Sequence, residues 1–161
     1  MRRGFLDVPS HESTASAAKF VYETVLLLDA REFVAWLNLC TDDFQYAIRA
    51  WSPEIRRDMT WLAYDRAGME TLVRQLARHN TDQSVFTRHA TVYTVEPDGE
   101  ALRVLTALSV YRTELDGGTT QVFAVGHYHD ALAWVEDGWR LRSREVRLQT
   151  RSLGIGTHYP L

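Results

Sequence analysis

Hydrophobic positions in the first half of the chain recur three and four residues apart, which is the spacing of one face of a helix. The pattern predicts a long helix ending near Asp29, a short second helix that Asp42-Asp43 stops, and a third helix ending near His79-Asn80. Each helix therefore has one stripe to bury. The stripes are Phe20, Val21, Thr24, Val25, Leu27 and Leu28; then Phe33, Trp36, Leu37 and Cys40; and finally Met69, Leu72, Val73 and Leu76.

The second half of the chain is typical of strands separated by turns. Residues 44–48 predict a first strand, at an edge of the sheet. Farther along, three turns rich in Asp and Gly separate four strands, which predicts an antiparallel meander. Helices followed by strands indicate an α+β fold, with a curved antiparallel sheet packed against about three N-terminal helices. The turns are Pro97-Asp98-Gly99, Asp116-Gly117-Gly118 and Glu136-Asp137-Gly138.

Two strands of the meander depart from simple alternation. The strand at residues 101–115 is hydrophobic on both faces, so either a partner chain or the protein's own bent sheet and terminal segments cover the second face. In the last strand Trp139 and Leu141 share one parity while Val146 and Leu148 share the other. A β-bulge near residues 143–145 would reconcile the two.

Length, charge and cysteine content narrow the class of protein. A chain of 161 residues can bury a substantial core, so we expect a single domain over residues 1–161, with residues 1–12 flexible and the tail at residues 153–161 packed on a partner. The net charge of −3 argues against nucleic acid as a partner. Cys40 is the single cysteine, which excludes a disulfide within the chain and fits a reducing cytoplasm. We expect neither a signal peptide nor a membrane segment.

Candidate chemistry is sparse. His127 and His129 lie on the same side of a predicted strand, but no His or Cys pattern supplies the further ligands that a metal needs, so two polar residues on a cavity or interface are the better interpretation. Cys40 lies on a helical stripe, where a thiol behaves as a small hydrophobic group. We therefore predict no metal and no cofactor bound by this chain.

General acid–base chemistry is the main enzymatic alternative. A cone of helices over a bent sheet encloses a pocket, and Asp29, Tyr46, His89 and His127 are candidates to point into it. Such a site would suit a stand-alone isomerase or dehydratase, in which burial raises the pKa of a carboxyl group. Equally, Asp29 can pair with Arg31 or another arginine, and His89 can be a hydrogen-bonded core residue. A small-ligand binding protein also fits such a pocket.

An arginine stripe near the end of the chain is a candidate interface. Arg140, Arg142 and Arg144 alternate along the last predicted strand, so they share one face. That face is either solvated and paired with carboxylates or a contact surface for an acidic patch on a partner. Tyr159 and Leu161, in the hydrophobic tail, are further candidates for partner contact.

Several short motifs, in order and in spacing over about residues 20–150, carry a family resemblance. Together they resemble the small (beta) subunits of aromatic-ring-hydroxylating dioxygenases. The first run is residues 27–37 with Asp42-Asp43-Phe44-Gln45-Tyr46. The others are Trp61-Leu62-Ala63-Tyr64, Thr87-Arg88-His89, Val110-Tyr111-Arg112, residues 126–130, Trp139-Arg140-Leu141 and residues 144–148.

The resemblance implies a cone-shaped α+β fold of the nuclear transport factor 2 and ketosteroid isomerase kind. It also implies a large (alpha) subunit that carries a Rieske 2Fe-2S cluster and a mononuclear iron, with three copies of each subunit, and a structural small subunit without an active site. The single cysteine agrees, because a Rieske centre needs two cysteines and two histidines. One stretch, residues 89–96, is one residue shorter than in the family, which affects the local strand register.

Overall fold

A computed structural model describes residues 11–79, 82–154 and 159–161 of the chain. These residues form three helices and six strands. Helices and strands are interspersed up to residue 79, and only strands follow. Among the described residues no helix has the length and hydrophobicity to cross a membrane. In chain order the elements are α1 (His11–Asp29), α2 (Phe33–Asn38), β1 (Cys40–Ser52), β2 (Arg57–Asp65), α3 (Arg66–His79), β3 (Val85–Asp98), β4 (Ala101–Thr113), β5 (Thr120–Val135) and β6 (Gly138–Leu148).

All six strands form one sheet in the order β2-β1-β6-β5-β4-β3. The α+β class is confirmed, and so is the antiparallel meander, since β3 to β6 pair consecutively. The sheet as a whole is mixed, because β1 runs parallel to β6, with Ile48 opposite Val146. β1 is therefore not the edge strand that the sequence predicts. The edge strand is β2. Its residues are mostly exposed, and they show no alternation of buried and exposed positions that would predict a strand.

The ends of α1 and α3 agree with the prediction, whereas α2 is shorter than predicted. It ends at Asn38, and Cys40 already belongs to β1 and pairs with Leu141. The amide of Leu141 donates to the carbonyl of Leu39 at 2.8 Å. Pairing with β6 thus ends the helix before the Asp42-Asp43 stop signal, although the thiol of Cys40 still donates to the carbonyl of Trp36 at 3.5 Å.

The core lies between the helices and the inner face of the curved sheet. Three aromatic rings at its centre meet edge to face or tilted: Trp36 of α2 lies 5.7 Å from Phe44 and 5.9 Å from Tyr46, both of β1. Edge-to-face packing of this kind is favourable beyond the burial of area alone. Other fully buried side chains in the core are Val21, Leu28, Ile48, Met69, Val104, Leu108, Leu132, Leu141 and Val146.

Register shifts occur in several of the ladders, and those in β6 and β3 fall in or next to stretches where the sequence predicts a change of register. In β6 the register against β5 shifts at Arg142, since Leu132 pairs with Leu141 while Ala131 pairs with Ser143. The predicted bulge is therefore present, one residue before residues 143–145. In β3 an extra residue, Tyr93, interrupts the pairing with β4. That bulge falls in the stretch 89–96, where the family resemblance predicts an altered strand register.

Candidate functional site: the interior and mouth of the cone

A buried ion pair lies at the centre of the inner face. Arg144 of β6 and Asp130 of β5 are opposite each other in the ladder, and their side chains are both 0% exposed. Two hydrogen bonds of 2.8 Å join the guanidinium to the carboxylate. The guanidinium also donates to Oγ1 of Thr24 in α1 at 3.0 Å and lies 3.8 Å from the ring centre of Tyr128. Thus one side chain ties two strands to the first helix.

The electrostatics of this interior are dominated by the buried ion pair and by two buried phenols. Burial alone would lower the pKa of Arg144, but the charge and hydrogen bonds of Asp130 offset that effect and hold the pKa above its usual value. Burial raises the pKa of Tyr46 and of Tyr128, which remain protonated at neutral pH. The described interior therefore contains a cation neutralised by Asp130 and two protonated phenols.

Several buried polar atoms of the interior have no hydrogen-bond partner within the described part of the chain. Three of these atoms belong to N–H groups and two to hydroxyls. The two hydroxyls lie on neighbouring strands, because Thr106 is directly opposite Tyr128. Buried polar groups in proteins are normally satisfied, often by ordered water. The atoms are Trp36 Nε1, Arg88 Nε, Thr106 Oγ1, Tyr128 OH and Arg144 Nη1.

The mouth of the cone is closed by the segment Tyr159–Leu161, which we call the plug. The amide of Leu161 donates to the Tyr46 hydroxyl at 2.8 Å, and Nη2 of Arg88 donates to the carbonyl of Pro160 at 2.7 Å. Nη1 of Arg88 donates to Asp29 at 2.8 Å. The space left beside Tyr159 is about 10 Å³, room for at most one water molecule.

The structure separates the four candidate acid–base residues. Asp29 lies at the mouth and pairs with Arg88, an arginine other than Arg31. Tyr46 lies deeper and is occupied by the plug. His89 and His127 lie on the outer face of the sheet, because their neighbours Arg88 and Tyr128 take the inward positions of β3 and β5. His89 packs on Tyr111 there, 4.9 Å between ring centres, so it is not a core histidine.

The metal and thiol candidates also have definite positions. His127 and His129 share the outer face, with Tyr93 6.2 Å from the ring of His127. Across residues 11–79, 82–154 and 159–161, no group of three or more His, Cys, Asp or Glu side chains is arranged to hold a metal ion. Burial raises the pKa of the Cys40 thiol to about 12, consistent with a small hydrophobic group.

The arginine stripe is not continuous, which corrects the sequence prediction. Because Arg142 is the bulged residue, Arg144 turns to the inner face and is buried, while Arg142 is exposed and lies 3.7 Å from Asp43. Arg140 is half-buried. The sequence also predicts that Tyr159 and Leu161 pack on a partner, but both are buried within this chain.

The outer face of the sheet is the other prominent surface. Small side chains recur across it between larger ones such as His127, and a groove of about 540 Å³ crosses β2, β1 and β6. Trp51 and Tyr93 stand exposed towards its two sides, at 56% and 61%. The ion pair of Arg49 and Glu145, at 2.9 Å, lies in the groove. The small residues are Ala47, Ala63, Ala107, Ser109, Ala131 and Ser143.

Sequence reasoning did not assign roles to Thr24, Arg88 and Asp130. Their importance depends on contacts between residues far apart in the chain, such as Arg144 with Thr24, 120 positions away. Asp130 lies in one of the motifs that carry the family resemblance, and it is a carboxylate on an otherwise hydrophobic strand face. That isolated charge is the one local signal that could have indicated a buried pair.

Comparisons with known proteins agree with one another. The family model described as the ring hydroxylating beta subunit matches residues 23–154. The methanesulfonate monooxygenase hydroxylase subunit beta of Methylosulfonomonas methylovora is 41% identical, over 98% of this chain and 93% of the relative. The 2-aminobenzenesulfonate 2,3-dioxygenase subunit beta of an Alcaligenes species is 33% identical, over 92% of this chain and 99% of the relative.

Solved structures share the fold at lower identity. A chain of naphthalene 1,2-dioxygenase crystallised with indole superposes with a TM-score of 0.76 at 20% identity, covering 94% of this chain and 88% of that one. At this identity the likeness concerns the fold, which is the cone-shaped α+β architecture that the resemblance implies.

Proposed function

The chain belongs to the ring hydroxylating beta subunit family and is the small subunit of an oxygenase complex; from this premise we propose that it has no active site of its own and serves assembly. The observation that carries the proposal is the closed cone. Its mouth holds the plug, and about 10 Å³ remains beside Tyr159. The four acid–base candidates are divided between the mouth and the opposite face of the sheet.

The proposed partner is a large subunit that carries a Rieske cluster and a mononuclear iron. Support comes from the ligand inventory, because a Rieske centre needs two cysteines and two histidines and this chain has Cys40 alone. Cys40 is also buried beneath α2. The proposed assembly has three large and three small subunits and is cytoplasmic.

The outer face of the sheet is the proposed contact surface for the large subunit. Alanine and serine recur across it and allow another backbone to approach closely at those points, and the rings of Trp51 and Tyr93 are exposed. Aromatic residues and arginine are enriched in protein interfaces, so the exposed rings of Trp51 and Tyr93 support this assignment. Arg140 and Arg142 remain accessible on β6 and complete the proposed interface. Arg144, Tyr159 and Leu161 are inside this chain and have no part in it.

The names of the two relatives support a proposal for the substrate class of the complex. Both belong to enzymes whose names specify a sulfonate, one an alkanesulfonate and one an aminoarenesulfonate. We therefore propose that the complex oxidises an organosulfonate. The large subunit would perform the chemistry, so the substrate class is a property of the complex and not of residues in this chain.

Co-purification tests the assembly and its surface. We would co-express the chain with the large subunit encoded beside it, using wild type, Ala107→Arg on the outer face and Val34→Arg on α2 as a matched control, since Val34 is 66% exposed. Wild type and Val34→Arg should elute with the large subunit, while Ala107→Arg should elute alone, because a charged side chain at a buried interface costs several kcal/mol. Circular dichroism should show all three folded.

Measurements of iron content and oxygen consumption test the absence of an active site in this chain and the substrate class of the complex. The purified chain alone should be free of iron and inactive. The complex, supplied with NADH and an electron-transferring reductase, should consume oxygen with 2-aminobenzenesulfonate or methanesulfonate but not with unsulfonated aniline. Two separate elution peaks for the wild type would refute the assembly role. Turnover by the isolated chain would refute the absence of an active site. Activity on aniline but on neither sulfonate would refute the substrate class alone.

A further inference from the structure

The contacts of the plug are those of a ligand in a binding site. Its three residues are buried, although neither a strand ladder nor a helix includes them. Arg88 bonds to Pro160 and Tyr46 bonds to Leu161, and these two side chains are themselves buried, at 5% and 2% exposed. A segment without regular structure is normally at the surface. Here the protein instead devotes two buried polar side chains to holding it.

The ring of Tyr159 lies in an aromatic slot. Phe33 stacks on it at 5.8 Å with an interplanar angle of 28°, and Phe86 packs against it at 5.6 Å. The guanidinium of Arg31 lies over the ring, 5.0 Å from its centre. At the far end of the slot, the Tyr159 hydroxyl donates to the carbonyl of Asp82 at 2.8 Å. The slot thus selects a planar ring with a hydrogen-bond donor at its tip.

Beyond the slot, an acceptor clamp receives the rest of the plug. Arg88 Nη2 donates to the carbonyl of Pro160 at 2.7 Å, while Nη1 is held by Asp29. The ion pair keeps the guanidinium oriented, so the second nitrogen is preorganised for a carbonyl or carboxylate oxygen. The Tyr46 hydroxyl then accepts from the amide of Leu161 at 2.8 Å. Ring slot, acceptor clamp and phenol follow one another inward from the mouth.

We propose that the mouth of the cone is a binding site for an aromatic ring, hydroxylated at its tip and joined through a short linker to a carbonyl or carboxylate, and that the plug occupies it as an intramolecular ligand. The plug is tethered, so its effective concentration at the site is high, on the order of millimolar. A free molecule of the same chemistry enters only when the plug is weakened. The site is separate from the outer face proposed for the large subunit.

Ligand rescue tests the proposal in the full-length chain. The variant Tyr159→Ser/Leu161→Ser keeps the chain length but removes both side chains of the plug that fill the mouth, and Val34→Ser is the control for loss of an exposed hydrophobic residue. The probe is the peptide N-acetyl-Tyr-Pro-Leu. The loosened variant should unfold about 5–10 °C below wild type. The peptide should raise its midpoint progressively, since binding to the native state stabilises it.

Wild type and Val34→Ser should not respond to the peptide, because their own plug fills the site. Adding Tyr46→Phe to the loosened variant should reduce the response. The proposal is overturned if the loosened variant gains nothing from peptide up to roughly 10 mM, above the effective concentration of the tether, or if all variants respond alike. If the double variant does not fold, Tyr159→Ala with p-cresol, which matches the missing ring, gives the same decision: rescue supports the slot, and no rescue rejects it.

Discussion

The two faces of the sheet use the same kinds of residue in opposite ways. On the inner face, Arg144 and Asp130 form an ion pair that is fully removed from water. On the outer face, Arg147 pairs with Asp58 at 2.7 Å, but the two side chains are 32% and 39% exposed. The guanidinium of the inner pair packs against the ring of Tyr128, whereas the outer pair is open to solvent. The charge of an arginine or aspartate therefore does not determine its structural role. Its burial and its neighbours do.

The difference in burial predicts a difference in energy. Two charges removed from water depend on each other, because either one alone would be left unsolvated. Two charges at the surface are screened by solvent and contribute little. The inner face should therefore be intolerant of change and important for folding. The outer face should tolerate change and show its importance only when a partner is present.

The largest expected effect is that of breaking the inner pair. Arg144→Met should lower the free energy of unfolding by about 3–5 kcal/mol, because Asp130 would remain buried without its counter-charge. The matched change on the outer face, Arg147→Met, should cost less than about 1 kcal/mol. Urea denaturation measures both. Equal losses in the two variants would remove the distinction between the faces.

A double change sharpens the same comparison. Replacing both partners, as Arg144→Met with Asp130→Leu, should recover part of the stability lost by Arg144→Met, since no lone charge remains buried. A double variant as unstable as the single one would mean that the hydrogen bond to Thr24 or the ring of Tyr128, and not the charge of Asp130, gives the arginine its importance.

Small increases in side-chain size should also distinguish the two faces of the sheet. A Cβ at Gly126 on β5 would lie 2.2 Å from the carbonyl oxygen of Arg147 and 2.8 Å from Cα of Leu148. Because these are backbone atoms, the strands must separate, and Gly126→Ala should cost about 1–3 kcal/mol. Ala107→Val on the outer face should be close to neutral by the same thermal or urea measurement. A stable Gly126→Ala would contradict the close approach of β5 and β6.

The smallest expected effect concerns pH. The Cys40 thiol has its pKa raised by burial from about 9.0 to about 12. The unfolded chain loses this proton above pH 9 while the folded chain keeps it, so the contribution to stability is complete below pH 9 and is lost as the pH rises towards 12. Between pH 8 and 10 wild type should lose about 1 kcal/mol more than Cys40→Ala. Parallel pH profiles would show that the thiol is not buried.

Much of the secondary structure was predictable from local pattern. The helical stripes place the ends of α1 and α3, and the Asp- and Gly-rich turns divide the meander, where Gly99 and Gly117 adopt the positive φ that such turns require. The family resemblance rests on other short motifs, spread over about residues 20–150. These features depend on neighbours within a few positions, so one sequence contains the information that specifies them.

The candidate site was less predictable. Asp29 and Tyr46 do lie at the mouth and interior of the cone, but His89 and His127 take the opposite face. Strand parity places them there, and parity depends on where a bulge interrupts the strand. The bulge at Arg142 likewise turns Arg144 inward and ends the arginine stripe.

Hydrophobic spacing and turn residues predicted the helices and the meander, and short motifs carried the family resemblance, because each of these features is encoded by residues close together. The parallel pairing of β1 with β6, the edge position of β2, the Arg144–Asp130 pair and the plugged mouth arose only when distant segments met. Strand register, burial and hydrogen-bond partners depend on contacts between distant segments, because the free energy of a charge or a ring depends on what surrounds it in space.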